Sequence, residues 1–272
     1  MTMKRLMTIC MLVTAVWAAS AKALPTQVMT FRFDNVAALG EDYTAGGLVY
    51  DYSGYGNDGH LSDDPGVPAW IASGVYGGAF DFTGDGKTSG QSILVHHDES
   101  LNPGSGDFAI SLWVLTREEI DGDILRKGSV ASGASTWYKL EHSPSTPNNK
   151  LSLNFNTDGT DATVTSTQTY ADDQWHFVVA QRNGDQAELW IDAVLDGTAS
   201  VSGSIANTAN LALGSKDTQD DDFLNSSIDD VRIWMGSLSE AEIGQLYTAI
   251  PEPATLAILG LGSLTLLRKR RS

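Results

Sequence analysis

Cysteine is almost missing: the 272-residue chain holds one, Cys10, inside an apolar N-terminal run. Disulfides therefore cannot brace the fold, and a large core or a bound metal must do so. Basic residues are scarce too, 17 Lys+Arg against 34 Asp+Glu, for a formal net charge of −17. Phosphate backbones need clustered Lys and Arg, so nucleic acid is excluded as a partner. Proline is sparse at 8 residues and no triplet repeat occurs, which excludes a collagen-like chain. No alternation of strand and helix patterns appears, so a parallel α/β sheet is excluded as well. What is present is core material, 42% hydrophobic residues with 7 Trp, too apolar for wholesale disorder.

The charge is unevenly spread. Residues 1–24 hold Lys4, Arg5 and Lys22 without an acid. Residues 251–272 hold Arg268, Lys269, Arg270 and Arg271 against Glu252. Each end is thus +3, which leaves −23 on residues 25–250 out of the total of −17. The N-terminus reads as a secretory signal peptide over 1–23. Lys4 and Arg5 precede an apolar stretch from Leu6 to Ala19, and Ala21-Lys22-Ala23 is an A-x-A site for signal peptidase, cleaving between Ala23 and Leu24. The C-terminus runs Pro251-Glu252-Pro253, then an apolar stretch to Leu267, then the basic cluster. As a helix, 254–267 would span about 21 Å, short of the roughly 30 Å of a hydrocarbon core. The basic cluster would stay in the cytoplasm, with the acidic domain outside and transiently anchored.

Between the ends, residues 26–249 alternate short Val-, Ile-, Phe-, Trp- and Thr-rich runs with Gly-, Asp-, Asn- and Ser-rich turns. Strands are predicted at 28–34, 76–82, 107–115, 136–142, 150–156, 174–182, 186–192, 209–214 and 226–234. In Lys150–Asn156, Leu151, Leu153 and Phe155 alternate with Ser152 and Asn154, the period of a strand with one buried face. Asn183-Gly184-Asp185 joins two such runs as a hairpin. The pattern predicts an all-β, antiparallel two-sheet sandwich without an internal linker. One helix is expected near the end: Ser239 caps it, Glu242 completes a capping box, and Ile243, Leu246 and Tyr247 form its apolar stripe.

Two resemblances follow. The Pro-Glu-Pro triplet, short apolar helix and Arg-rich end over 251–272 resemble the PEP-CTERM sorting signal. That likeness implies recognition by an exosortase, removal of the tail, and display at the surface or in the matrix of a bacterium that makes extracellular polysaccharide. The middle resembles the LamG-like jelly roll of the concanavalin A-like lectin/glucanase superfamily. The segments that carry it are the loop from Asp51 to Gly59 (DYSGYGNDG), Gly77–Phe82 (GGAFDF), Phe108–Val114 (FAISLWV), Ile124–Gly128 (ILRKG), Trp175–Val178 (WHFV), Leu189–Asp192 (LWID) and Ile228–Trp234 (IDDVRIW). Ala193 departs from the glycine usual after Asp192. The resemblance implies a jelly-roll sandwich that binds extracellular polysaccharide or a surface protein without catalysis.

Calcium is the expected cofactor, because hard cations want several oxygens from carboxylates, amides and carbonyls in a turn. Asp51, Asn57 and Asp34 are candidate ligands, and the family likeness places Asp229 or Asp230 beside the 51–59 loop. Strand alternation predicts that those two point to opposite faces, so at most one is a direct ligand. Asp, Asn and Gly also simply make turns. For sugar stacking, Trp70, Trp137 and Tyr138 are candidates. The enzyme alternative is a family 16-like glycoside hydrolase: Glu119-Ile120-Asp121-Gly122-Asp123 nearly matches E-x-D-x-E, with Asp in place of the last Glu. A purely structural matrix protein is the other alternative. Gly84–Thr88 ends like a phosphate loop but has Asp81 where the first Gly belongs, and His96-His97 lacks a second cluster at metal spacing.

Overall fold

The computed structural model describes residues 24–61, 65–117, 120–143 and 149–249. The signal segment with Ala23, the acid Glu119, and the Pro251, Glu252 and Pro253 triplet lie outside them.

Among the described residues sixteen strands follow in chain order: β1 (Thr26–Phe31), β2 (Leu48–Val49), β3 (Gly59–Leu61), β4 (Ala69–Ile71), β5 (Ala79–Thr83), β6 (Ile93–Val95), β7 (Phe108–Thr116) and β8 (Gly122–Lys127), then β9 (Trp137–Ser143), β10 (Lys150–Asn156), β11 (Ala162–Thr165), β12 (Trp175–Asn183), β13 (Gln186–Ile191), β14 (Val194–Ser200), β15 (Leu211–Leu213) and β16 (Asn225–Met235). They form two antiparallel sheets. The first runs β14-β13-β12-β7-β16-β5-β4, with β1 also on β16; the second runs β11-β10-β9-β8-β15-β6-β3-β2. Each predicted strand is present within a few residues, and the hairpin at Asn183 joins β12 to β13 as expected.

Between the sheets, Phe31, Phe80, Phe82, Phe108, Leu140, Leu153, Phe155, Val178 and Ile233 belong to one continuous core of fully buried side chains. Burial of this kind is the dominant favourable term in folding and is what a cysteine-free domain has available. The first sheet carries a second apolar cluster on its outer face: Ala109, Trp113, Phe177, Val179, Trp190, Trp234, Leu238 and Ile243.

Helix α1 (Glu240–Thr248) closes that outer face. Its capping box forms as predicted, with Ser239 and Glu242 bonding each other's backbone N–H. Tyr247 stacks on Trp113 at 5.7 Å. The chain entering the helix is clamped by Gln181, whose amide accepts from the Leu238 N–H at 2.8 Å and donates to the Leu238 carbonyl at 3.1 Å. Among the described residues no helix is long and apolar enough to cross a membrane.

Candidate functional site

Two places concentrate polar groups. The first is a step in β16. Along one side β16 pairs with β7; along the other it pairs first with β5, through Asn225–Ile228, and then with β1, through Val231–Met235. At the change of partner the β7 register shifts between Asp229 and Arg232, and Asp230 takes a φ of 50°. Ile228 and Val231, three apart, both enter the inter-sheet core. Regular alternation across Asp229 and Asp230 is therefore interrupted, contrary to the opposite-face expectation, because a bulge adds a residue to the strand.

The two acids part by partner rather than by face. Asp230 is held by Arg232, whose Nη2 lies 2.9 Å from Oδ1 and 2.8 Å from Oδ2. Asp229 Oδ2 accepts from the Tyr76 N–H at 2.8 Å, while its Oδ1 is buried without a hydrogen-bond partner. Burial pushes the Asp229 carboxyl up to about 7; the Tyr76 N–H opposes this and Asp230 adds to it. The 74–78 turn is threaded between acids. A Cβ on Gly74 would sit 2.7 Å from Asp229 Oδ2, and one on Gly77 would sit 2.5 Å from Asp34 Oδ1. Asp34 follows β1, and its carboxyl is raised by burial, opposed by Arg32 and reinforced by Glu41 and Asp230. Glu41 was invisible as a site residue in the sequence. It is a lone loop acid, yet it is buried, with Oε2 on the Val36 N–H and Oε1 unpartnered.

Asp51 and Asn57, two of the expected calcium ligands, are engaged within the protein. Asp51 Oδ1 accepts from the Thr30 and Ser53 N–H groups at 2.8 and 2.9 Å. Its Oδ2 accepts from Ser53 Oγ and the Asn57 N–H at 2.7 and 3.0 Å. Asn57 Nδ2 donates to the Val28 carbonyl at 2.6 Å and to Ser100 Oγ at 2.8 Å. A carboxylate ringed by four donors has its lone pairs spent and presents positive dipoles to any cation. Through the Thr30 N–H and the Val28 carbonyl this loop fastens β1. Among the described residues no three His, Cys, Asp or Glu side chains are grouped to hold a metal. A cation at Asp229 and Asp34 would thus need backbone carbonyls and water as well. The orphaned, buried Asp229 Oδ1 is the feature that fits one.

The second place is the outer face of the β11-to-β15 sheet. Cross-strand register puts Ala212, Arg126, Lys139, Asn154 and Thr163 on one rung. Asp123, Glu141, Ser152 and Thr165 form the next, and Trp137 sits opposite Asn156 beyond. Arg126 Nη1 bonds Asp123 Oδ2 at 3.0 Å and Asp222 Oδ2 at 3.1 Å, and Lys139 bridges Asp123 and Glu141. Asn154 continues the chain, donating to Glu141 Oε1 and accepting from Thr163 Oγ1, each at 2.8 Å. The Arg126 guanidinium lies 5.0 Å from the Trp137 ring centroid.

The remaining candidates divide by exposure. Tyr138 is fully buried, its ring 4.9 Å from Phe108, so it is core and not a sugar platform. Alternation along β9 turns Trp137 outward and Tyr138 inward. Trp70 is 37% exposed on the edge strand β4, with Nε1 donating to the Phe33 carbonyl at 2.7 Å. Asp121 is exposed ahead of β8, whereas the Asp123 side chain is 1% exposed and ion-paired. Burial raises Asp123 to about 6 against the pull of Lys139 and Arg126. No substrate atom could reach that carboxyl without displacing both cations.

Comparison with known proteins agrees with this architecture. The family model for the concanavalin A-like lectin/glucanases superfamily, laminin G type, matches residues 85–244, and that for the PEP-CTERM protein-sorting motif matches 249–271. No match is found among curated proteins. Among solved structures, the binding domain of Paraclostridial Mosquitocidal Protein 1 superposes with a TM-score of 0.62 at 16% identity, covering 82% of this chain and 52% of that one. The botulinum neurotoxin serotype D binding domain gives 0.59 at 14%, covering 82% and 50%. The binding domain of botulinum neurotoxin DC, solved in complex with SialylT, gives 0.60 at 14%, covering 82% and 51%. This chain spans about half the length of those domains, and at such identity the likeness is one of fold. The chain belongs to the concanavalin A-like lectin/glucanase superfamily, as a LamG-like jelly roll carrying a PEP-CTERM signal for export and surface sorting.

Proposed function

We propose that this is a non-catalytic surface or matrix protein whose LamG-like domain binds extracellular polysaccharide or a surface partner after an exosortase has processed its tail. The observation that carries the reading is the polar outer face of the β11-to-β15 sheet. It is preorganised by its own hydrogen bonds, and of the two carboxylates there that are raised by burial, Asp123 is sealed beneath Arg126 and Lys139 while Asp121 lies exposed ahead of β8. That arrangement suits recognition better than acid–base chemistry, which needs reach to the substrate. The solved relatives named above are binding domains, which supports the same reading.

Calcium belongs to this proposal as a structural ion at Asp229 and Asp34, where it would neutralise the buried carboxyl and tie β16 to the 74–78 turn. Before processing, the tail anchors the protein in the inner membrane. A glycan array probed with the purified protein, with calcium and with chelator, tests the function: saturable binding is expected, and release of reducing ends from a β-glucan would overturn the non-catalytic reading. Replacing Pro251, Glu252 and Pro253 by Ala should leave the tail attached.

A further inference from the structure

The chain has five histidines, and three of them are engaged by other groups. His142 is 1% exposed, with Nδ1 on the Ile120 carbonyl at 3.2 Å. His176 is held between Asp192 and Asp172, at 2.8 and 3.3 Å. His97 Nδ1 lies 3.2 Å from the buried Lys127 ammonium, and its Nε2 lies 3.5 Å from Glu99. His60 and His96 are different. Both are exposed, and their ring centroids stand 5.1 Å apart at an interplanar angle of 48°. Among the described residues no hydrogen bond or ion pair engages either ring. The neighbours His96 and His97 thus part company: His97 turns to Lys127, and His96 meets a histidine from another strand, which spacing along the chain could not show.

The sheet brings the two rings together. Strands β3 and β6 pair antiparallel, with Gly59 opposite Val95, His60 opposite Leu94 and Leu61 opposite Ile93. Gly59, Leu61, Ile93 and Val95 are buried. Alternation therefore turns His60 outward, and His96, two residues beyond Leu94, falls on the same outer face as its diagonal neighbour. The inward side chains of both strands lock the backbone under the pair, so the two attachment points are fixed before any ligand arrives. Two nitrogens bound to one tetrahedral metal at roughly 2.0–2.1 Å stand about 3.3 Å apart. Rings tilted together at 5.1 Å reach that separation by side-chain rotation alone.

We propose that His60 and His96 form a cross-strand binding site for a divalent transition-metal cation of the zinc and copper class. Imidazole nitrogen suits such ions, whereas calcium and magnesium prefer oxygen. The only cysteine is Cys10, in the signal segment, so no thiolate in residues 24–249 competes with imidazole as a ligand. The −23 carried by residues 25–250 raises the local concentration of any divalent cation. Two protein ligands leave the remaining coordination positions to water, in keeping with the absence of a three-ligand group among the described residues. The site is separate from the calcium proposed at Asp229 and Asp34, and it stands or falls independently of the binding function.

Calorimetric titration of zinc chloride into the untagged, chelator-treated full-length protein tests it, with and without excess calcium. One zinc per chain is expected in both conditions, with a rise in melting temperature. His60→Gln and His96→Gln are exposed changes that should leave the melting temperature in chelator unmoved. Each should weaken zinc binding about tenfold or more, since even a group that only supports a ligand is worth about 10–100-fold in metal affinity. His176→Gln and Asp229→Asn should bind zinc as the wild type does. Failure of the wild-type protein to take up zinc overturns the site. Undiminished uptake in either His60→Gln or His96→Gln, or its loss in Asp229→Asn, overturns the assignment to this pair. Suppression of zinc uptake by calcium overturns imidazole as the ligand.

Discussion

The sandwich has two outer faces built from the same antiparallel ladder, and they are opposites in chemistry. On the β7–β12–β16 sheet, Trp113, Phe177, Val179, Trp190 and Trp234 point outward and are buried by α1 and the chain leading to it. On the β8–β11 sheet, the equivalent positions are Arg126, Lys139, Glu141, Ser152, Asn154 and Thr163. The alternation of each strand therefore encodes an apolar second core on one side and a largely buried, hydrogen-bonded polar layer on the other. An antiparallel sheet normally needs only one buried face. Burying the second face adds apolar area to a domain with no disulfide to help it.

If the helix-covered face is a second core, cutting it should cost as much as cutting the first. Trp234 is 1% exposed and donates from Nε1 to Ser111 Oγ at 3.0 Å. Trp234→Ala is expected to lose about 3–5 kcal/mol in chemical denaturation, from lost burial, the cavity and the stranded hydroxyl. Thr163→Val on the polar face should stay within about 0.5 kcal/mol. Equal costs for the two would erase the distinction between the faces.

Asp229 tests the seam where β16 changes partner. Its folded pKa of about 7 exceeds the unfolded 3.8, so the folded state holds the proton more tightly. That stability is present below about pH 4 and is lost as pH rises through 7. In chelator, the wild-type protein should therefore weaken across that interval. Asp229→Asn should not, and at pH 8 it should be the more stable by on the order of 4 kcal/mol. Added calcium should raise the wild-type melting temperature at pH 8 and leave the variant unmoved. A wild-type melting temperature indifferent to both pH and calcium would remove the ion from the proposal.

Much of this was legible in the chain, and what was not has a physical cause. Strands such as Lys150–Asn156 announce themselves because alternation is a local property of consecutive residues. The same alternation, followed through Trp137-Tyr138-Lys139-Leu140, distinguishes the outward Trp137 from the buried Tyr138, so that error was avoidable. Strands β2, β3, β4 and β6 have two or three residues each, too few to show a period. The role of Asp51 depends on donors from Thr30, 21 residues away, and that of Asp229 on a bulge opposite β7. Neither register nor bulge is written in either strand alone. Glu41 carries no motif at all; only burial beside Asp34 marks it.

The attachment of α1 gives the next test. Gln181 is fully buried and satisfies both the N–H and the carbonyl of Leu238, as a neighbouring strand would. Gln181→Leu keeps the volume roughly constant but strands two backbone groups, and it should cost about 2–3 kcal/mol. Hydrogen exchange should show α1 opening ahead of the sheet beneath it. If α1 amides stay as protected as those of β12, the helix is held by Trp113 and Tyr247 stacking rather than by this clamp.

The smallest effect sets packing on the covered face against backbone strain. Ala193 turns β13 into β14 with φ of 63°, beside Asp192 at 51°, and its methyl packs partly against the Trp113 and Trp190 cluster. Two central residues with positive φ describe a type I′ hairpin, which favours glycine at the second position. The left-handed conformation costs an alanine about 1–2 kcal/mol. A half-buried methyl returns less than about 0.8 kcal/mol. Ala193→Gly also frees the unfolded chain, which subtracts up to about 1 kcal/mol. Strain relief should narrowly win, raising stability by roughly 0.5 kcal/mol in denaturant titration. A loss of 1 kcal/mol instead would mean that the methyl contributes more to the covered face than its area implies, extending the second core to the very edge of the sheet.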